Sequence, residues 1–249
     1  MSKSNLAVKE EISDIVGEEA ILPNATAKND VRVMYNEEMK TKKKIIYKII
    51  KRMIDIIGAL IGTVLLIPVT IIIYFTRKFS KEEQGPLFYE QLRYGKNGKI
   101  FRLYKYRSMC IGADEKLKEY LANNEEARKE FKKTHKLQND PRITKIGNFL
   151  RKTSLDELPQ MINILKGDMS FVGPRPVIEK EVEEYGENKK FLSVKPGLTG
   201  YWQVNGRSNT TYEERMEMEL YYVDNCSLWL DIKIFFKTFI TVFKKEGAV

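Results

Sequence analysis

Two neighbouring carboxylates, Asp156 and Glu157, stand where the sequence predicts the start of a helix. Ser154 and Glu157, three residues apart, form the capping-box pattern of a helix N-terminus. The apolar residues that follow have helical spacing and end at Gly167; they are Leu158, Met161, Ile162 and Leu165. The first turn of a helix favours anions, because its backbone N–H groups are unpaired and its dipole is positive there. An isolated pattern of this kind usually has only a capping role, so any chemistry depends on the surrounding residues.

The surrounding residues are basic. Arg175 lies between two prolines in the sequence GPRP, which holds its backbone extended and lets its guanidinium fork onto a phosphate with little loss of freedom. Lys105 and Arg107 alternate along a predicted strand at 101–109, so they can point together at a ligand. Singly, each basic residue is more often a solvated or ion-paired surface group. The remaining candidates for phosphate binding are Arg142, for which the adjacent Asp-Pro turn is a structural alternative, Arg151 and Arg207.

Residues 56–75, here called the membrane segment, are uncharged and apolar. At about 1.5 Å per residue they are long enough to cross a ~30 Å hydrocarbon core. Both flanks are basic, which places both ends on the cytoplasmic side by the positive-inside rule. Pro68 removes a backbone donor and favours non-helical dihedrals at Ile67, so the sequence predicts a helix-break-helix that enters and leaves by one face. A spanning helix is the alternative, because transmembrane helices tolerate proline.

Other features bound the function. The net charge of +9 favours anionic partners such as a membrane surface, a phosphorylated substrate or nucleic acid. Residues 228–245 are predicted as a basic amphipathic helix, lying either in the membrane interface or in the core. Residues 113–136 are predicted as a single charged helix. The two cysteines indicate free thiols, and the sequence contains no GxGxxG, Walker A or zinc-ligand spacing.

From about Lys51 to the C-terminus the sequence resembles the bacterial sugar transferases, the monotopic polyprenyl-phosphate phosphoglycosyl transferases. The ordered blocks that carry the resemblance are FRLYKYRSM (101–109), NDPRITKIGNFLRKTSLDELPQ (139–160), GDMSFVGPRP (167–176), KPGLTGYWQVNGR (195–207) and LYYVDNCSLWLDIKIFFKT (220–238). So many blocks in one order are specific, whereas each alone is weak. The family usually has serine before the proline of the membrane segment, where this chain has Ile67.

The resemblance implies transfer of a sugar 1-phosphate from a UDP-sugar to undecaprenyl phosphate, with release of UMP. It implies that Asp156 is the nucleophile that forms a covalent phosphosugar, and that Glu157, with Asp156, binds Mg²⁺. The C-terminal block is most similar to members that transfer hexose 1-phosphate, with galactose favoured and glucose next. Undecaprenyl phosphate, the UDP-sugar and membrane lipid are the expected partners.

The expected fold is α+β and mainly helical: a compact catalytic domain with an N-terminal re-entrant membrane helix and interfacial amphipathic helices. The expected divisions are a loosely ordered extension (1–43), the basic-flanked membrane helix (44–79) and the transferase domain (80–249), on the cytoplasmic face of the bacterial inner membrane. Gly58 and Gly62 form a G-x-x-x-G that leaves a homodimer open. The rival interpretation is a membrane-anchored basic scaffold or nucleic-acid-binding protein, although no nucleic-acid-binding motif is present and none is expected as a partner.

Overall fold

The structure, a computed structural model, describes residues 25–80, 85–134, 137–185, 189–206 and 210–243. The chain divides into two units, Met1–Ile49 and Ile50–Val249. Helical backbone begins at Ala25, inside the segment that the sequence predicts as loosely ordered.

The described elements are mainly helical, with four short strands, which confirms the predicted mixed character. The helices are α1 (Ala25–Lys78), α2 (Ala113–Asn123), α3 (Glu125–Thr134), α4 (Lys145–Lys152), α5 (Gln160–Lys166), α6 (Glu179–Glu184), α7 (Tyr201–Asn205), α8 (Tyr212–Asn225) and α9 (Leu228–Phe243). The strands are β1 (Phe88–Tyr94), β2 (Ile100–Tyr106), β3 (Ser170–Val172) and β4 (Gly197–Thr199). Short 3₁₀ turns lie at Lys96–Gly98, Leu155–Glu157 and Lys189–Ser193.

The strands pair two by two. β1 and β2 form an antiparallel hairpin in which Phe88 lies opposite Tyr106 and Tyr94 opposite Ile100. β3 and β4 are parallel. Helix α5 packs on β2, where the fully buried amide of Asn163 accepts from the Tyr104 N–H (3.1 Å) and donates to the Arg102 carbonyl (2.7 Å). This side chain extends the hydrogen bonding of the hairpin to the helix that follows the acid pair.

Helix α1 is helical throughout, including Ile67 and Pro68, so the predicted departure of Ile67 from helical dihedrals is wrong. A proline can bend a helix while its neighbours keep helical dihedrals. Within the described residues, one helix, Thr41–Lys78, is long and apolar enough to cross a membrane. Re-entry by one face stays a prediction.

One side of α1 belongs to the hydrophobic core. Ala59 packs in a cluster with Met161 and Ile164 of α5, while Leu66 and Ile73 pack with Tyr106 and Leu150. The opposite side exposes large apolar residues, among them Ile61, Val64, Ile67 and Ile72. Apolar residues on both sides fit a helix that contacts protein on one side and lipid on the other.

The G-x-x-x-G of α1 faces the same chain. A Cβ at Gly58 would come within 2.6 Å of the Phe171 ring, and one at Gly62 within 2.6 Å of the Met161 sulfur. The two glycines therefore allow close approach of these side chains, which accounts for the motif without a second copy.

The two other segments predicted to be helical, 113–136 and 228–245, are helical within the described residues but have different bounds. The charged helix at 113–136 is two helices, because Asn124 turns the chain and its side-chain oxygen accepts from the Ala127 N–H (3.0 Å) at the start of α3. In helix α9, Ile234 is buried in the core, whereas Trp229 and Phe236 are exposed, and the position of this helix in the membrane interface stays a prediction.

Candidate active site

The acid pair lies in the 3₁₀ turn Leu155–Glu157, just before α5. The predicted capping box is wrong: Ser154 has a left-handed backbone (φ 56°) and its side chain makes no capping hydrogen bond. Proline is best tolerated at a helix start, and α5 accordingly begins after Pro159. Asp156 and Glu157 are thereby left in a separate turn upstream of the α-helix, while Gly167 ends that helix as predicted, with φ 86°.

Lys105 holds the pair from the end of β2. Its Nζ lies 2.6 Å from Glu157 Oε1, and both side chains are partly buried. Burial, and to a lesser extent the charge of Glu157, raise the pKa of Asp156 to about 6, while Lys105 and Arg151 oppose the shift. Asp156 is therefore a desolvated carboxyl that is mostly ionised at neutral pH and is stabilised as an anion by two cations.

Arg151 reaches the site from α4. Its Nε donates to the Ser108 hydroxyl (2.9 Å), which fixes the guanidinium beside the end of β2. Burial lowers the pKa of Arg151, and the charge of Asp156 opposes that effect. Arg151 and Lys105, two of the predicted phosphate ligands, thus both lie beside the acid pair, and their binding of phosphate stays a prediction.

Arg142 is instead paired with its own turn. Nε and Nη2 fork onto Asp140, with distances of 2.8 Å to Oδ1 and 2.6 Å to Oδ2. Burial alone would raise the pKa of Asp140, but the hydrogen bonds from Arg142 outweigh it and the pKa is lowered. The turn-based alternative for Arg142 therefore describes its contacts here.

Arg107 follows β2 directly. Its Nε donates to the Pro86 carbonyl (3.1 Å), and its guanidinium lies 5.2 Å from the centre of the Tyr89 ring. Lys105 and Arg107 thus have different contacts: the first binds the acid pair and the second binds the loop before β1.

Arg175 lies in a second cluster of charges. Its backbone N–H donates to Glu219 (3.4 Å), and its charge, after burial, helps lower the pKa of Arg93 to about 10. Glu219 also accepts from the Tyr185 hydroxyl and faces Arg215. Arg207 lies outside the described residues.

Sequence reasoning missed the buried members of this cluster. Arg215 and Glu219 are buried on α8 together with Tyr222 and Val223, and their spacing of four, seven and eight residues is that of one helix face. Arg215 stacks on Trp202, 4.5 Å from the ring centre. Their helical spacing with the apolar Tyr222 and Val223 was the available signal, although charged residues at such positions are usually assigned to the surface.

The residues of α1 just before the membrane segment are bonded to both segments that carry the site. Arg52 donates to the carbonyls of Ile164 (2.6 Å) and Leu165 (2.8 Å) at the end of α5. Asp55 accepts from the Ser170 hydroxyl (2.9 Å) and the Phe171 N–H (3.0 Å) of β3, the strand that leads to GPRP.

Lys51 adds a third bond to the same strand. Its Nζ donates to the Val172 carbonyl (2.9 Å) and pairs with Asp231 of α9 (2.6 Å). Lys51 and Arg52, which the sequence presents as flanking charges, thus also bind the domain.

The described residues thus combine a helix that is long and apolar enough to cross a membrane with a carboxylate pair beside basic side chains. The family model for bacterial sugar transferases matches residues 46–245, and the chain belongs to that family.

Three relatives illustrate the similarity. An undecaprenyl-phosphate galactose phosphotransferase of Salmonella typhimurium is 47% identical over 81% of this chain and 42% of its own length. A UDP-glucose:undecaprenyl-phosphate glucose-1-phosphate transferase of Escherichia coli is 41% identical over 79% of this chain and 40% of its own length. The exopolysaccharide production protein ExoY of Rhizobium meliloti is 44% identical over 80% of this chain and 87% of its own length. The chain therefore spans about two fifths of the first two relatives and most of the third.

Proposed function

We propose that this protein transfers a hexose 1-phosphate from a UDP-sugar to undecaprenyl phosphate, giving undecaprenyl-diphosphate-sugar and UMP. The observation that carries the proposal is Asp156, a desolvated carboxylate beside Glu157 with Lys105 and Arg151 around it. The names of the Salmonella and E. coli relatives supply the acceptor and the kind of group transferred.

The reaction proceeds in two displacements at one phosphorus atom. An oxygen of Asp156 attacks the phosphorus that bears the sugar, and the bond from that phosphorus to the UMP oxygen breaks. The phosphosugar is then an acyl phosphate on Asp156, and UMP leaves. A phosphate oxygen of the acceptor next attacks the same phosphorus, the bond to Asp156 breaks, and the free carboxylate is restored.

Burial suits Asp156 to this role. A carboxylate without its full hydration shell is a better nucleophile, and a pKa of about 6 still leaves it mainly ionised at neutral pH. Lys105 and Arg151 stabilise the charge that accumulates on the phosphoryl oxygens during each displacement. The remaining proposed phosphate ligands are Arg107, Arg142, Arg175 and Arg207; Arg142 would have to share its fork with Asp140.

The acid pair fits Mg²⁺. The described residues contain no group of three or more histidine, cysteine or acidic side chains able to hold a metal, but Mg²⁺ is commonly held by one or two carboxylates together with substrate phosphates. Glu157, with Asp156, would hold the ion; one Glu157 oxygen already pairs with Lys105. When bound, Mg²⁺ would neutralise charge on the pyrophosphate.

Galactose is the favoured sugar and glucose the next, in line with the names of the Salmonella and E. coli relatives. We place the domain on the cytoplasmic face of the inner membrane, with the membrane segment re-entrant and α9 in the interface through Trp229 and Phe236, both exposed. The product would begin a lipid-linked capsule, exopolysaccharide or O-antigen. The proposal does not specify whether the protein is a monomer or a homodimer.

The test is a donor panel in nanodiscs with Mg²⁺, following UMP. UDP-galactose, UDP-glucose and UDP-N-acetylglucosamine are each supplied with and without undecaprenyl phosphate. We expect a single-turnover burst of UMP from donor alone and continuous release with acceptor, fastest for UDP-galactose. A faster reaction with the N-acetylated donor would overturn the hexose assignment, and no UMP with any donor would favour a non-catalytic scaffold.

A further inference from the structure

The backbone of the GPRP segment is held on both sides of its arginine. The Pro174 carbonyl accepts from the Gly197 N–H (2.8 Å). The Pro176 carbonyl accepts from Nη1 of Arg93 (3.0 Å). Because proline has no N–H, the only backbone donor in the three residues Pro-Arg-Pro is the N–H of Arg175. The partner of that N–H therefore helps to fix the orientation of the arginine between the prolines.

The partner is the carboxylate of Glu219 on α8, a residue that is only 2% exposed. Its Oε1 accepts from the Arg175 N–H (3.4 Å) and from Nε of Arg215 (3.5 Å). Its Oε2 accepts from the Tyr185 hydroxyl. Burying a carboxylate is costly unless it is paired and hydrogen-bonded, and here three segments of the chain supply the donors.

The side chain of Arg175 remains available to a ligand. It is partly buried, and within the described residues its guanidinium makes no hydrogen bond or ion pair. Its charge lowers the pKa of both Glu219 and Arg93, although burial raises the first and lowers the second. The guanidinium is thus attracted by Glu219 and repelled by Arg93, and its five N–H donors are not used by the protein.

We propose that Glu219 is a positioning residue, which holds the Arg175 N–H and thereby directs the Arg175 guanidinium toward the pyrophosphate of the nucleotide-sugar donor. Glu219 does not contact the substrate and acts through Arg175 alone. Tyr185 and Arg215 fix the carboxylate in turn. This inference rests on the proposed function for the identity of the donor.

The test separates hydrogen bonding by residue 219 from its charge. Removing Glu219 alone leaves the buried charge of Arg215 poorly paired, which is strongly destabilising, whereas replacing both members of a buried ion pair is often neutral. The variants compared are therefore Arg215→Met/Glu219→Gln and Arg215→Met/Glu219→Met. Both lack the two charges, but only glutamine has an oxygen that can accept from the Arg175 N–H.

The readout is the Kd for UDP in nanodiscs with Mg²⁺, measured by calorimetry. We expect the methionine variant to bind UDP roughly 10-fold more weakly than the glutamine variant, within the range for leaving a buried donor unsatisfied. Adding Arg175→Gln to each variant should reduce this difference to less than about twofold, because residue 219 acts through the Arg175 guanidinium. Equal affinities in the first pair, or a tenfold difference that persists without the guanidinium, would overturn the positioning role.

Val223→Ala is the matched control for stability. Val223 is buried on α8, four residues after Glu219, and packs with Tyr185 in one core cluster. Its truncation should lower the Tm and leave the Kd for UDP within about twofold of wild type. A tenfold loss of affinity in this variant would show that any loosening of the cluster weakens binding, and the specific role of Glu219 would fall.

Binding of UDP requires no turnover, which separates this inference from the proposed function. The expected pattern of Kd values would support the positioning role even if no donor released UMP. Normal UMP release together with equal Kd values in the first pair of variants would leave the proposed function intact and overturn the role of Glu219. A wild-type protein that does not bind UDP would overturn the inference as well.

Discussion

Replacing Asp156 by asparagine should abolish turnover and at the same time stabilise the protein at neutral pH. The amide keeps the size of the carboxyl group but cannot form the acyl phosphate, so the burst of UMP is lost. It also removes a charge that is desolvated by burial and repelled by Glu157. A nucleophile held in this way weakens the fold that carries it, as expected for a functional site.

The shift in pKa sets the magnitude. A rise from 3.8 to about 6 corresponds to about 3 kcal/mol of unfolding free energy, at 1.36 kcal/mol for each tenfold change. The asparagine amide is itself imperfectly hydrogen-bonded in the same place, at a cost of about 1 kcal/mol. The net gain is then about 2 kcal/mol, or about 4–8 °C in Tm for a domain of this size.

The sign of the pH dependence follows from the same shift. Because the folded pKa is above the ordinary value, the folded protein retains the proton between 3.8 and about 6 while the unfolded chain has lost it. The penalty in the wild-type protein is thus complete above pH 6 and absent below pH 3.8. The stability advantage of Asp156→Asn should be complete at pH 7.5 and fall below about 1 kcal/mol at pH 4.

Thermal unfolding in nanodiscs, followed by tryptophan fluorescence at pH 7.5 and pH 4, measures this difference. Asp224→Asn is the control, because Asp224 is an exposed carboxylate paired with Lys190 at the surface, and its loss should change stability by less than about 1 kcal/mol. An Asp156→Asn protein that is less stable at pH 7.5, or equally favoured at both pH values, would refute the reasoning. Wild-type turnover in that variant would remove Asp156 from the mechanism.

Three further predictions concern other parts of the structure. Lys105→Met removes a cation that lowers the pKa of Asp156, so the acidic limb of the pH profile of donor kcat/KM should move from about 6 toward neutral pH; an unchanged midpoint would contradict the role of Lys105. Pro68→Ala restores a backbone donor and should shift the membrane segment toward a spanning state, seen as labelling from outside of a cysteine placed at one flank; labelling of both flanks only from the cytoplasm would show no shift. Gly147→Ala would bring a Cβ within 1.9 Å of the Ser108 carbonyl oxygen, so it should destabilise the protein by about 1–3 kcal/mol and lower activity, and a wild-type Tm would count against the packing described.

The sequence predicted those parts of the site that depend on local order. Helical spacing identified the apolar face of α5, where Met161 is buried, and alternation identified β2 with Lys105 on it. It misplaced the helix start, because the capping pattern at Ser154 and the proline at 159 compete, and proline sets the boundary.

Contacts between distant segments were beyond local patterns. Nothing around Arg142 in sequence decides between a phosphate and Asp140 as its partner, because both would suit the same fork. Arg77 and Arg107 both donate to the Pro86 carbonyl, and no local pattern predicts this contact because the two arginines are distant in sequence. Topology rules predict neighbouring elements, whereas pairings like these are fixed by tertiary packing.

The bonds from α1 to α5 and β3 bear on how the bilayer itself could influence catalysis. Arg52 donates hydrogen bonds to two of the last carbonyls of α5, and the turn that precedes the N-terminus of that helix contains Asp156. With the membrane segment in lipid as proposed, a thinner or thicker bilayer would tilt α1, and these bonds would carry the tilt toward the nucleophile. Ala59 lies in the same core as α5. A version of the protein that begins at residue 79 would lack Ala59, and this core would be exposed to water. The lipid environment would therefore influence the reaction rate through the tilt of α1. Detergents that alter this tilt should change the reaction rate at concentrations that leave the protein folded.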